Sequence, residues 1–207
     1  MTTAFQGSLL DANEDAGLGD LSGARRITLD RGAWVDLLPG WVPGADRLFE
    51  RLLTAVPWRA ERRPMYDRVL AVPRLLSFYG AGLALPDPAL AEMMTALDAR
   101  YRPELGESLR TAGLCLYRDG RDSVAWHGDT SGRRVAQTVV AIVSLGTPRT
   151  LSLRPRGGGP ALRYPVGHGD LLVMGGTCQR TWEHAVLKTA RPTGPRISVQ
   201  FRPDGVR

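Results

Sequence analysis

Apolar residues in the first half of the chain recur at helical spacing in two places. The first predicted helix runs through ADRLFERLLTAV, where Asp46 can cap the N-terminus and one apolar face is formed by Leu48, Phe49, Leu52, Leu53 and Val56. A second helix is predicted from Pro88 to about Tyr101, and its inward positions are Leu90, Met93, Met94 and Leu97. A shorter helical piece is predicted over Glu104 to Thr111, whereas Trp58 to Tyr79 is expected to be extended or looped.

Beyond Ala112 the pattern changes to short strands. Six runs rich in β-branched and aromatic residues alternate with Gly, Pro and Asp turns: GLCLY, VAQTVVAIVSL, TLSLRP, GDLLVM, TWEHAV and RISVQFR. One further strand followed by a turn is predicted near the start, within RRITLDRGAWVDLLPGWV. Helices followed by a β-rich half indicate an α+β fold in which the strands form a sandwich or a barrel.

The order of these elements favours a single domain behind a short tail. Residues 1–24 are polar, Gly-rich and acidic, which predicts a mobile N-terminal tail. Residues 25–207 show no internal repeat and no linker. We therefore expect one domain there, with the helices in 25–111 and the β-rich half in 112–207.

Composition excludes several classes of protein. A hydrophobic content of 43% and a charged content of 23% are typical of a globular protein, and 207 residues provide one ordinary domain. No apolar run approaches the roughly 20 residues that span a bilayer, and the N-terminus lacks the basic and apolar regions of a secretory signal. Cys115 and Cys178 form no CxxC pair, so we expect reduced thiols and a cytoplasmic location. We also expect a monomer that does not bind membranes.

The positive charge of the chain is carried almost wholly by arginine. The net charge is +6, and only Lys188 among the 27 basic residues is a lysine. This bias has two explanations that composition does not separate: a GC-rich genome, or a surface that binds nucleic acid. From Thr130 to Gly169 no acidic residue occurs, and this stretch, which is suited to face a polyanion, contains Arg133, Arg134, Arg149, Arg154, Arg156 and Arg163.

Histidine is rare, which makes each one a candidate for chemistry. His127 lies two residues before Asp129, and residues at this spacing in a strand point to the same face. With His184 from a later strand, they supply two imidazoles and one carboxylate, the donor set of non-haem Fe(II) oxygenases. An HxD pair also arises by chance, and His184 could be an ordinary core histidine. His168 competes for the third position, but it precedes a predicted turn at Gly169, so we assign it a structural or hydrogen-bonding role.

The last predicted strand carries two arginines on one face. With a period of two, the residues that share this face are Arg196, Ser198, Gln200 and Arg202. Arg196 near an iron site can clamp the distal carboxylate of a dicarboxylic acid cosubstrate, and Arg202 can lie nearer the metal. Arginine is plentiful in this chain, so some would fall on a strand face anyway. The joint spacing of histidines, carboxylate and arginines is much harder to explain by chance.

Four segments together resemble the AlkB-type dealkylases, a branch of the Fe(II)/2-oxoglutarate-dependent dioxygenases. They lie between about Tyr66 and Arg202 and read VPRLLSFYG, CLYRDGRDSVAWHGD, GHGDLLVMGGTCQRTWEHAV and PRISVQFR. The resemblance implies that 25–207 is one AlkB-like dioxygenase domain. It further implies a double-stranded β-helix (jelly-roll) core in 112–207, with N-terminal helices and a nucleotide-recognition lid in 25–111.

The resemblance also implies roles for individual residues. The expected metal ligands and catalytic residues are His127, Asp129 and His184. The expected cosubstrate contacts are Arg196, which grips the distal carboxylate, Tyr117, Arg202, Cys115 and Ser198. Cys115 and Ser198 stand where the family has asparagine, so they reduce the polar contacts to the cosubstrate. The expected substrate contacts are Tyr66, which stacks on the target base, Arg74 and Tyr79 in the lid, and Trp126, Ser131, Arg133 and Arg134; Ser131 stands where some relatives have an acid that contacts the base.

The function implied by the resemblance is oxidative dealkylation of N-alkylated bases in DNA or RNA, such as 1-methyladenine and 3-methylcytosine. Fe(II), 2-oxoglutarate and O2 are the expected cofactors, and decarboxylation to succinate and CO2 is coupled to release of an aldehyde in the repair of alkylated DNA. Two alternatives stay open. One is an oxygenase with the same chemistry that acts on a small metabolite or a protein side chain. The other is a nucleic-acid-binding module with a relic metal site, which the changes at Cys115 and Ser198 allow.

Overall fold

The computed structural model describes residues 17–65, 68–129 and 136–206. The helices in these ranges are α1 (Ala45–Ala55), α2 (Pro88–Leu105) and the short α3 (Cys178–Thr181), with single 3-10 turns at Leu21–Gly23 and Asp30–Gly32. The strands are β1 (Arg25–Thr28), β2 (Ala33–Leu38), β3 (Arg59–Met65), β4 (Arg68–Tyr79), β5 (Leu109–Tyr117), β6 (Val124–His127), β7 (Val140–Gly146), β8 (Arg149–Pro155), β9 (Leu162–Val166), β10 (Asp170–Gly176), β11 (Trp182–Val186) and β12 (Arg196–Pro203).

The strands form two antiparallel sheets. The large sheet has the order β1-β2-β10-β7-β12-β5-β4-β3, and the small sheet has the order β6-β11-β8-β9. From β6 onward the chain passes repeatedly between the small and the large sheet. The expected α+β fold with a double-stranded β-helix core is therefore confirmed.

One face of the large sheet is covered by helices. Buried apolar residues of α1 and α2 pack against inward residues of the sheet, among them Leu48, Leu52, Leu90, Met93, Leu97, Leu114, Val143, Val199 and Phe201. These helix residues recur at three and four positions because that spacing places them on one face. The periodicity thus correctly predicted which faces of both helices are buried.

The other face of the large sheet packs against the small sheet. The apolar residues between the sheets come from both, and they include Tyr117, Val140, Ile142, Leu151, Leu153, Tyr164, Val166, Trp182 and Val186. Val140 to Gly146 is buried throughout because β7 has helices on one side and the small sheet on the other. This intersheet layer is where the polar residues of β12 point.

Three local predictions are wrong. The segment predicted as a helix over Glu104 to Thr111 divides instead: α2 continues to Leu105, Gly106 ends it with φ 75°, and β5 begins at Leu109. Asp46 does not cap α1, because Gly44 is the N-cap residue and makes no side-chain bond. The segment predicted to hold one strand and a turn contains two paired strands, β1 and β2.

Two further predictions concern the N-terminal tail and the segment from Trp58 to Tyr79. Residues 1–16 of the predicted tail lie outside the described residues, and the division into tail and single domain stays a prediction. The region expected to be extended or looped contains the paired strands β3 and β4. They lie at the edge of the large sheet opposite to β1. Within the described ranges no helix is long and apolar enough to cross a membrane.

Candidate active site

A cavity lies between the two sheets. Its lining combines apolar residues of both sheets with a set of polar residues, namely Arg74, Cys115, Tyr117, His127, His184, Arg196, Ser198, Gln200 and Arg202. Ile142, Leu151 and Val186 are among the apolar residues of its wall. Polar groups that converge in an apolar cavity are the usual sign of a ligand site.

His127 and His184 meet at one end of this cavity because their strands pair in register. β6 and β11 are antiparallel neighbours in which His184 lies directly opposite His127. The centroids of the two imidazole rings are 4.2 Å apart. Asp129 follows at the end of β6, and one donor atom from each of the three residues lies within 4.8 Å of the others. Two histidines and one carboxylate that are distant along the chain therefore share one point.

The charges around this cluster favour its metal-binding form. Burial alone raises the pKa of Asp129, but the positive charge of Arg202 and the neighbouring His184 outweigh burial and hold that pKa below its ordinary value. Arg202 Nε donates to Asp129 Oδ2 over 2.7 Å. Burial, assisted by His127, lowers the pKa of His184 to about 3. Asp129 is thus ionised and His184 neutral at ordinary pH, the states in which these groups bind metals.

The tautomer of His127 is set by a backbone contact. Its Nδ1 lies 2.8 Å from the carbonyl oxygen of Ala125, and since a carbonyl can only accept, Nδ1 is the protonated nitrogen. Nε2, 3.9 Å from Asp129 Oδ1, then carries the lone pair. A hydrogen bond of this kind orients metal-binding histidines. The donor set of His127, Asp129 and His184 fits Fe(II).

Arg196 lies deep in the cavity and is suited to hold an anion. It is 2% exposed, and its Nε donates to Ser144 Oγ over 2.9 Å. Its Nη1 is buried without a hydrogen-bond partner among the described residues. Burial lowers the pKa of this guanidinium, and burial raises the pKa of the neighbouring Tyr117 to about 12, so Tyr117 stays neutral. A buried cation with an unused donor fits the carboxylate of a small acid.

The position between the metal ligands His127 and Asp129 requires glycine. A Cβ atom at Gly128 would lie 2.6 Å from the carbonyl oxygen of Gln179 and 2.6 Å from Arg156 Nη2. The close approach allows the Gln179 side chain, which is buried, to reach the next residue: its Oε1 accepts from the backbone N–H of Asp129 over 3.0 Å. The sequence does not predict this role for Gln179, because nothing in the local pattern of α3 indicates a contact with Asp129.

We expect Gln179→Leu to weaken metal binding. Loss of the acceptor leaves the Asp129 N–H unpaired and frees the position of its carboxylate, and such changes beside a metal ligand cost roughly 10- to 100-fold in metal affinity. Titration of Mn(II), followed by electron paramagnetic resonance, measures the effect. Gln137→Leu provides the matched control, because the Gln137 side chain is exposed and, among the described residues, makes no hydrogen bond to Asp129. Equal affinity of the two variants would contradict a role for Gln179.

The other predicted site residues fall into three groups. Arg74, Cys115, Tyr117 and Ser198 line the cavity. Tyr79 and Trp126 do not line it: Tyr79 packs into the core on the helix side of the large sheet, and the ring of Trp126 lies 4.3 Å from the Arg154 guanidinium. Four predicted substrate contacts lie outside the described residues: Tyr66, Ser131, Arg133 and Arg134.

The basic stretch is not one continuous surface. Arg149 is buried, and its guanidinium donates to the backbone carbonyls of Asp119, Asp122 and Leu187. Its charge therefore holds two loops together and is not available to a polyanion. Arg149 is buried because an arginine at the start of a buried strand can satisfy loop carbonyls that water does not reach.

His168 has the structural role expected for it. Its Nδ1 accepts from the backbone N–H of Gly146 over 2.8 Å, and its Nε2 lies 3.1 Å from Asp46 Oδ1. These contacts tie α1 to the turn after β7.

Comparison with known proteins is consistent with this geometry. The sequence matches the 2OG-Fe(II) oxygenase superfamily over residues 36–202. It is 30% identical over 186 residues to alpha-ketoglutarate-dependent dioxygenase alkB homolog 3 of Mus musculus, an alignment that covers 81% of this chain and 65% of that protein. It is 24% identical over 177 residues to the DNA oxidative demethylase ALKBH2 of Homo sapiens, covering 76% of this chain and 68% of the relative.

A solved structure shows the same fold. The structure of OsALKBH1 superposes with a TM-score of 0.58 at 14% identity, covering 86% of this chain and 100% of that one. The chain spans slightly less than two thirds of the length of the AlkB homolog 3 proteins that it matches. The match over 36–202 includes every residue of the metal cluster and both arginines of β12. The chain therefore belongs to the 2OG-Fe(II) oxygenase superfamily, which uses Fe(II) and 2-oxoglutarate with O2, and within it is similar to the AlkB-type dioxygenases.

Proposed function

We propose that this protein removes alkyl groups from nitrogen atoms of bases in DNA or RNA, with 1-methyladenine and 3-methylcytosine as substrates. The observation that carries the proposal is the similarity, over 81% of the chain, to AlkB homolog 3, together with similarity to proteins named DNA oxidative demethylase. Repair of alkylated DNA is the corresponding biological role. The cytoplasmic location and the monomeric state stay predictions.

The residues that line the cavity have different roles in this reaction. His127, Asp129 and His184 hold the metal, and Arg196 holds the cosubstrate by a carboxylate. Bound there, Fe(II) and 2-oxoglutarate would supply, with O2, the oxidation that turns the N-alkyl group into a hydroxylated adduct, which would break down to an aldehyde and the unmodified base. Ile142, Leu151 and Val186 form an apolar wall that limits the entry of water.

A base must leave its stack to reach the metal, so the metal end of the cavity has to be accessible. The side chain of His127 is 38% exposed, whereas that of Asp129 is 2% exposed. β6 is an edge strand of the small sheet, so His127 lies at an open side of the site. Arg74 of β4 also lines the cavity, and we propose that the paired strands β3 and β4 act as the nucleotide-recognition lid.

Two exposed arginines near the metal segment fit a phosphate backbone. Arg156 and Arg180 are exposed, and within the described ranges no carboxylate lies at ion-pair distance from either. Arg156 uses Nε and Nη2 to bind the carbonyls of Arg180 and Gln179 and lies against Gly128. Guanidinium groups beside a catalytic segment position nucleic acid through its phosphates without selecting a sequence. Arg163 is also exposed, on β9 at the opposite edge of the small sheet from β6.

The proposal predicts turnover of alkylated oligonucleotides. Protein supplied with Fe(II), 2-oxoglutarate and O2 is incubated with single- and double-stranded DNA and with RNA that carry 1-methyladenine or 3-methylcytosine. Mass analysis is expected to show loss of one methyl group from the oligonucleotide, with an equal amount of succinate. The unmodified oligonucleotide serves as the control and is expected to stay unchanged.

Other outcomes identify the alternatives. Succinate production that is stimulated by a metabolite or a peptide, but not by alkylated nucleic acid, would indicate an oxygenase with another substrate. A relic metal site would give no joint thermal stabilisation by Mn(II) and 2-oxoglutarate. The complete donor set and the buried unused donor of Arg196 favour an active enzyme over such a relic.

A further inference from the structure

Gln200 makes hydrogen bonds that fix the orientation of its side-chain amide. The side chain is buried, 7% exposed, and lines the cavity. Its Nε2 lies 2.9 Å from the backbone oxygen of Ser198 and 2.6 Å from Ser198 Oγ. A backbone carbonyl can only accept, so the nitrogen of the amide faces Ser198. Both protons of this nitrogen are thereby directed at one residue.

The amide oxygen of Gln200 is held from the neighbouring strand. The thiol of Cys115 donates to Gln200 Oε1 over 3.6 Å. Opposite Gln200 in the strand pairing is Gly113, and a Cβ atom there would lie 3.1 Å from Oε1 and 2.8 Å from Arg202 Nη1. Glycine at this position therefore leaves room for the two long side chains of β12.

The bonds of Gln200 determine what the Ser198 hydroxyl can do. Because Ser198 Oγ accepts a proton from the Gln200 amide, its own proton is directed elsewhere. Among the described residues no acceptor for this proton is found, and Ser198 lines the cavity. The Ser198 hydroxyl can therefore donate a hydrogen bond to a ligand bound in the cavity.

A second unused donor lies on the same face of β12. Arg196 is two residues before Ser198, so both side chains point between the sheets. Arg196 Nη1 is buried and has no partner among the described residues. Two adjacent buried donors, one of them cationic, complement the two oxygens of a carboxylate.

We propose that Gln200 is a positioning residue for the cosubstrate: it orients the Ser198 hydroxyl so that this hydroxyl and Arg196 together bind the distal carboxylate of 2-oxoglutarate. Gln200 acts through Ser198 and does not itself touch the cosubstrate. The inference rests on the use of 2-oxoglutarate by this superfamily and is independent of the nucleic-acid substrate. If this inference fails, the proposed dealkylation is unaffected. If the proposed dealkylation fails, the role of Gln200 in binding 2-oxoglutarate is unaffected.

The test measures binding of 2-oxoglutarate to the Mn(II)-loaded protein without O2, by isothermal titration calorimetry. Gln200→Glu keeps the shape of the side chain but replaces the donating nitrogen with an oxygen, which draws the Ser198 proton away from the cavity. Loss of a hydrogen bond to a charged group is worth roughly 10-fold or more in affinity, so the Kd for 2-oxoglutarate is expected to rise by about that factor. Affinity for Mn(II) is expected to stay at the wild-type value.

Two further variants separate positioning from a general structural effect. If Gln200 acts through Ser198, the double variant Ser198→Ala, Gln200→Leu loses no more affinity than Ser198→Ala alone. Ser198→Thr, which keeps the hydroxyl, is expected to retain most of the affinity. 2-Oxobutyrate, which lacks the distal carboxylate, is titrated for comparison. In the Gln200 variants the ratio of the Kd for 2-oxobutyrate to the Kd for 2-oxoglutarate is expected to be smaller than in the wild type.

Three results would overturn the inference. The first is a wild-type Kd for 2-oxoglutarate in Gln200→Glu. The second is a loss of affinity in the double variant equal to the product of the two single losses. The third is an equal loss of affinity for 2-oxoglutarate and 2-oxobutyrate in the Gln200 variants. Melting temperatures of the same samples identify a variant that fails to fold; if Gln200→Glu does so, the single variant Gln200→Leu, which also supplies the second single loss, carries the test.

Discussion

Replacement of His127 with alanine is expected to abolish succinate production while leaving the protein folded. His127 supplies one of three side-chain ligands at the metal cluster, and its Nε2 faces Asp129. Even a change in the hydrogen-bond partner of such a ligand costs roughly 10- to 100-fold in metal affinity, so the loss of a ligand should cost more than about 100-fold. Because the side chain is partly exposed, its removal leaves only a small cavity. Asp129→Ala is expected to be equally inactive.

The measurement is succinate formed per protein, together with the Kd for Mn(II) and the melting temperature. His168→Ala is the matched control. His168 accepts from Gly146 and contacts Asp46, so its loss should lower the melting temperature but spare the affinity for Mn(II). Full succinate production by His127→Ala or Asp129→Ala would refute the assignment of the metal site.

Replacement of Arg196 with methionine is expected to abolish tight binding of 2-oxoglutarate. Methionine fills much of the same buried space, so the change removes chiefly the charge and its donors. Two hydrogen bonds from a buried guanidinium to a carboxylate are worth about 3 kcal/mol or more. The Kd for 2-oxoglutarate should therefore rise by about 100-fold or more.

Calorimetry on the Mn(II)-loaded protein measures this Kd directly. Arg121→Met is the matched control, because Arg121 is exposed and its recorded ion pair is with Asp119, away from the cavity. This control should bind 2-oxoglutarate as the wild type does. If Arg196→Met binds 2-oxoglutarate with wild-type affinity, the carboxylate is held elsewhere, and the role proposed for Gln200 also fails.

The apolar pattern of the sequence predicted much of the fold because it reports local faces. Leu90, Met93 and Leu97 are buried as the helical period requires, and the six predicted strands all occur. Some element boundaries differ from the prediction, since they depend on contacts with other elements. The end of α2 at Leu105 and the start of β5 at Leu109 are fixed by Gly106 and by pairing of β5 with β4 and β12.

Short spacings in the sequence likewise predicted the residues of the candidate site. The spacing of His127 and Asp129 and the period of two along β12 each place side chains on one side of a segment. The spacings did not predict which other residues line the cavity. Tyr79 falls on the helix side of its strand and Trp126 lies against Arg154, since the face that a residue occupies depends on the register of the whole strand.

The α+β class, the buried faces of the helices, and the residues able to supply iron ligands and carboxylate-binding arginines follow from the order of amino acids. Which of these residues meet depends on how the strands pair and pack. The pairing of β6 with β11 sets His184 opposite His127, and the approach of α3 to Gly128 brings Gln179 to Asp129. These contacts join segments far apart in the chain, and their geometry arises from packing of the two sheets, which no local period records.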